Sequence, residues 1–134
     1  MTNREIYDAA LAMLAEEQYE DCPDYEARAP YLLAAFVNEC REVNGFYHAT
    51  HGGEADRAEE GTALDLDGEF PLHSRLSHAA AFYLAALLVE GEDEGLSDRL
   101  FARYADSITR ITQEGCSGVS MPVRDVYGFD TCCE

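Results

Sequence analysis

The chain has 134 residues, 47% of them apolar, which suits one domain with a real core and excludes wholesale disorder. Its 27 acidic residues outnumber nine basic ones for a formal charge of −18. That sign argues against nucleic acid and anionic membranes as partners, because both are polyanions.

All nine bases are Arg, and the five cysteines are Cys22, Cys40, Cys116, Cys132 and Cys133. The cysteine number is odd and no CxxC pair occurs, so no disulfide framework is expected. The opening MTNREIYDAAL carries charge where a secretory signal needs an apolar run. No segment reaches the roughly 18 apolar residues of a membrane span. The expectation is a protein of cytosolic origin.

In chain order, Thr2 and Glu5 have the spacing of a capping box. They predict a helix to about Glu17 with Ile6, Ala9, Ala10, Met13 and Leu14 on one face. QYEDCPD breaks the pattern. A second helix turns Leu33, Phe36, Val37, Cys40 and Val43 inward, starting near Pro30 or kinked there, since an interior proline costs about 3 kcal/mol. Asn44-Gly45 is read as its stop. Residues 45–72 then read as a long acidic connection in which ALDLDGEF allows a short extended piece.

From Leu76 to Val89 there is no charged residue. Leu76, Ala79, Ala80, Tyr83, Leu84, Leu87 and Leu88 follow a helical ladder, and Ala81, Phe82, Ala85 and Val89 make the opposite side apolar too. A helix oily all round must be surrounded by protein. Its second face is covered either by its own fold or by a second subunit. GEDEG is a turn, Ser97 the expected N-cap, and a last helix runs to about Gln113. Its inward face is Leu100, Phe101, Tyr104, Ile108 and Ile111; its opposite face holds Arg99, Arg103 and Arg110 as one stripe. The stripe either pairs with nearby acids, such as Asp106 with Arg110, or meets acids on a neighbouring copy, a role that suits the planar guanidinium. The fold class expected is all-α: a bundle of about four helices over residues 1–114, with the acidic loop between the second and third and an extended arm over residues 115–134. In that arm Val123, Val126, Tyr127 and Phe129 look too oily for a free end.

Candidate chemistry is sparse. His48 and His51 offer two imidazoles, but no further zinc ligands follow at a recognisable spacing. Asp65-Leu66-Asp67-Gly68-Glu69 lacks the spacing of a calcium loop and reads as a polar turn. Cys132 and Cys133 have no base nearby in sequence. No nucleophile elbow, P-loop, zincin or dinucleotide motif occurs. No catalytic residue, metal or cofactor is assigned.

Five segments in order carry a resemblance: REIYDAALAML, YEARAPYLLAAFVNECREVN, FPLHSRLSHAAAFYLAALLVEGED, LSDRLFARYADSITRI and a tail with PVRDVYG. From about Asn3 to Phe129 the chain resembles the small helical adaptor, or head–tail connector, proteins of tailed bacteriophages. The resemblance rests on pattern, not on catalytic residues. It implies a non-enzymatic virion part that forms a ring and joins portal to tail-completion proteins. It implies a core helix of Leu76, Ala80, Tyr83, Leu84, Leu87 and Leu88 near subunit contacts. Arg99, Arg103 and Arg110 would then be contact residues, and Pro122–Phe129 a reaching arm. The long 45–72 connection and the Cys-ended tail depart from that pattern. Two other classes compete: an acidic inhibitor that mimics DNA, suggested by the charge, and a small metal enzyme using His48 and His51.

Overall fold

In the computed structural model, which describes residues 1–14, 23–51 and 61–117, five α-helices pack together. They are α1 (Asn3–Leu14), α2 (Pro23–Glu39), α3 (Arg41–His51), α4 (Ser77–Val89) and α5 (Glu94–Ser117), with a 3-10 turn, Ser74–Leu76, leading into α4. Among the described residues no strand forms, and Thr2 and Glu69 make one isolated antiparallel bridge. The all-α expectation holds. The number of helices differs, because the second expected helix is two, with a turn at Cys40.

The oily segment becomes the central helix. Of the 13 residues of α4, ten are buried, so the protein's own fold covers both faces without a second subunit. Helices α1, α2 and α5 surround it, while α3 packs on α5. Leu76, Ala80, Tyr83, Leu84 and Leu88 are buried as expected; Leu87 is half-buried. Small side chains at Ala79, Ala80, Ala81, Ala85 and Ala86 line this helix and are all buried, which lets its neighbours approach closely. Each large aliphatic side chain here, such as Leu84 or Leu88, contributes roughly 1.5–3 kcal/mol by leaving water.

Around it the expected faces turn inward. Ile6, Ala10 and Leu14 of α1 are buried, as are Leu33, Phe36, Val37 and Cys40, and Leu100, Tyr104 and Ile111 of α5. Phe101 does not join them: 43% of it is exposed.

Local chemistry explains where elements begin. Thr2 and Glu5 form the reciprocal capping box: the Thr2 N–H donates to Glu5 Oε2 at 2.7 Å and the Glu5 N–H to Thr2 Oγ1 at 3.2 Å. α2 starts at Pro23, well before Pro30, which sits inside the helix. Pro30 has no N–H to offer the preceding turn, and its own carbonyl accepts from the Leu64 N–H at 3.0 Å. α5 is capped by Asp93 rather than Ser97: Asp93 Oδ1 accepts the Leu96 N–H at 3.0 Å. Ser97 lies buried in the first turns, its hydroxyl donating to the Ala86 carbonyl at 2.8 Å and tying α5 to α4. α5 also runs on past Gln113 to Ser117.

The expected stop at Asn44-Gly45 fails for a physical reason. α3 continues through both residues to His51, because Asn44 is buried and uses its side chain for tertiary contact: Oδ1 accepts the His73 N–H at 2.7 Å. The possible extended piece in ALDLDGEF is instead a turn that clasps the N-terminus. Asn3 and Arg4 N–H groups donate to Gly68 and Leu66 carbonyls, and the Phe70 N–H donates to the Met1 carbonyl. Asn3 Nδ2 adds a 2.7 Å bond to the Asp65 carbonyl, and Arg4 pairs with Asp67 at 3.0 Å. The turn closes by Gly68 N–H to Asp65 carbonyl at 3.0 Å and Asp67 N–H to Asp65 Oδ1 at 3.0 Å.

Candidate functional site

The arginines of α5 separate into two kinds. Arg110 pairs with Asp106 one turn earlier at 3.2 Å, as an exposed i,i+4 pair. Arg99 and Arg103 have no ion-pair partner among the described residues. The contrast with the other described arginines is informative in a chain so rich in acid. Arg4 holds Asp67 and Glu26, Arg28 donates to the Leu87 carbonyl, and Arg75 grips Glu114 with two bonds of 3.0 and 2.7 Å.

Arg99 and Arg103 rim a surface groove of about 290 Å³ whose other walls are Met13, Phe82, Leu96 and Leu100. α1 supplies Met13, α4 supplies Phe82 and α5 the rest. The two guanidinium stems leave α5 one turn apart, about 6 Å along its axis. This is a cationic rim over an apolar floor, suited to a segment with carboxylates beside a large apolar side chain. A second groove, of about 270 Å³, lies between α3 and α5 and is lined by Glu42, Val43, Phe46, Ile111 and Thr112.

The far edge of α5 carries the opposite chemistry. Phe101 is two residues from both Arg99 and Arg103, about 200° around the helix. Its ring packs edge-on against Tyr104 at 5.4 Å between centroids and against Tyr83 at 6.3 Å. Those rings belong to a larger aromatic cluster with Phe36, which lies 5.5 Å from Tyr83. Beneath it Cys40 Sγ sits 3.8 Å from the Tyr104 hydroxyl. Burial pushes the Cys40 thiol up to about 11, which makes it a poor nucleophile at neutral pH. Burial likewise raises Tyr104 and Tyr83 above the usual phenol range, and the charge of Glu39 adds to both shifts. Glu39 itself is exposed and immediately precedes Cys40 in the chain.

Of the other residues singled out, His48 and His51 stand on α3 and not in a loop. No group of three metal-ligating side chains converges among the described residues. Val123, Val126, Tyr127, Phe129, Cys132 and Cys133 lie outside the described residues. No described helix is long and apolar enough to cross a membrane. Met13, Phe82 and Leu96 were not singled out as site residues; their half-buried placement beside the arginines comes from three separate segments. Phe101 was legible in part, since on a helical wheel it falls at the margin of the Leu100–Tyr104–Ile111 arc. No protein-family model, curated protein or solved structure matches the chain.

Proposed function

We propose that the chain is a non-enzymatic structural protein of a tailed phage or prophage particle, joining portal to tail-completion proteins as a ring of copies. The observation that carries this reading is the arginine-rimmed apolar groove on α5, a surface suited to protein contact on a chain of charge −18. The order of helical segments supports it, as does a fold whose apolar helix is covered from within and leaves α5 to face neighbours. An acidic ring is also suited to surround exiting DNA, since like charge keeps the duplex from adhering. In this reading residues 115–134 act as an arm toward the tail side, and the protein's place is the virion.

Deletion of the reading frame from its phage or prophage tests the proposal. The expected result is DNA-filled heads without attached tails by negative-stain electron microscopy, with complementation restoring tailed particles. Normal infectious particles from the deletion would contradict it.

A further inference from the structure

The two edges of α5 are complementary to each other, and they point in different directions. One edge is the groove walled by Met13, Phe82, Leu96 and Leu100 under Arg99 and Arg103, which have no ion-pair partner among the described residues. The other carries Phe101, 43% exposed, on a platform of Tyr83 and Tyr104; the exposed Glu39 precedes Cys40, whose sulfur lies 3.8 Å from the Tyr104 hydroxyl, and its charge reaches both tyrosines. A single molecule cannot bring these edges together, because they lie on opposite sides of one helix. A second copy of the chain always can.

We propose that copies associate head to tail, the Phe101–Glu39 edge of one copy entering the Arg99–Arg103 groove of the next. The aromatic ring seats on the apolar floor, and the carboxylate meets a guanidinium at the rim. Charge complementarity selects a second copy as the occupant. In the groove two cations stand on one apolar floor without an acid partner among the described residues, and the knob offers an exposed aromatic ring on tyrosines that feel the charge of Glu39. Because knob and hole are different patches, the contact is heterologous, and it closes into a ring when the rotation between copies permits. The inference rests on the assembly reading above and names the contact that would build the ring.

A mixing experiment with the full chain tests it. Sedimentation velocity at low ionic strength should show wild-type association that rises with concentration and falls with added salt. A groove variant, Arg99→Glu with Arg103→Glu, and a knob variant, Phe101→Ser with Glu39→Gln, should each associate at least about tenfold more weakly than wild type. All four positions are exposed, and circular dichroism verifies that the variants keep their helices. Mixed in equal amounts, the two variants should form dimers and nothing longer, since each retains one working edge. Wild-type protein that stays monomeric to millimolar concentration overturns the inference. So does association that the variants leave unchanged. In either case the assembly reading still stands if deletion yields tailless heads, and falls separately if it does not.

Discussion

Helices α4 and α5 lie against each other and share much of their packing, yet they are built on opposite plans. α4 has no charged residue and is buried on nearly every side. α5 buries one arc, Leu100, Tyr104 and Ile111, and shows water two chemically distinct edges. The difference shows that the oiliest segment of a chain need not be its contact surface. α4 is covered by α1, α2 and α5, so it holds the fold together. The surface proposed to meet another protein belongs to α5, which by composition is an ordinary amphipathic helix.

If that contrast is right, substitutions on the two helices should separate widely. Leu84→Ala, at a fully buried position of α4, should lower unfolding free energy by about 2–5 kcal/mol in urea titration. A loss below about 1 kcal/mol would mean that α4 is loosely held and would break the comparison. High pH probes the same core from the α2–α5 side. The folded Cys40 thiol is held near 11, above its ordinary 9.0, so the unfolded chain loses its proton first. Stability should therefore be intact below about pH 9 and decline as pH rises toward 11. Tyr83 and Tyr104 shift in the same direction, so Cys40→Ala should flatten the decline without removing it. A pH profile identical in wild type and Cys40→Ala would contradict the placement of that thiol.

Smaller effects sharpen the account of α5. Asp93→Ala removes its N-cap and should cost about 1 kcal/mol, whereas Asp98→Ala, at an exposed position of the first turns, should cost little. Arg99→Ala and Arg103→Ala should each change monomer stability by no more than about 0.5 kcal/mol, because neither side chain has an ion pair among the described residues to lose. A large loss at either arginine, measured by thermal unfolding, would recast the groove as part of the fold's own support.

Much of the fold was readable from local chemistry. The capping box at Thr2 and Glu5, the apolar ladder of α4 and the inward arcs of α1 and α2 depend on residues close in sequence, and each appears as expected. The misreadings arose where tertiary contact overrode a local signal. Asn44-Gly45 looks like a helix stop, but Asn44 is recruited to hold the His73 backbone, and the helix continues. Ser97 looks like a cap, but it bonds the Ala86 carbonyl across the helix interface, leaving capping to Asp93. ALDLDGEF allows an extended piece and its Asp65–Glu69 part reads as a polar turn; the turn is what forms, around the first residues of the chain, with extension reduced to the one bridge of Glu69 with Thr2. The arginine stripe was visible by spacing. The Asp106–Arg110 pair was visible by the same spacing; that Arg99 and Arg103 have no acid partner among the described residues and border walls from α1 and α4 is not, because those walls come from other segments.

Hydrogen–deuterium exchange followed by peptide mass spectrometry, on the same protein at micromolar and millimolar concentration, tests the division of labour between the two helices most directly. The account predicts that amides of Ser77–Val89 exchange slowest and at the same rate in both samples, while peptides spanning Arg99–Tyr104 gain protection at the higher concentration. Protection of α4 that appears only in the concentrated sample, with α5 unchanged, would contradict it, because the oily helix would then be sheltered by a neighbour and not by its own fold.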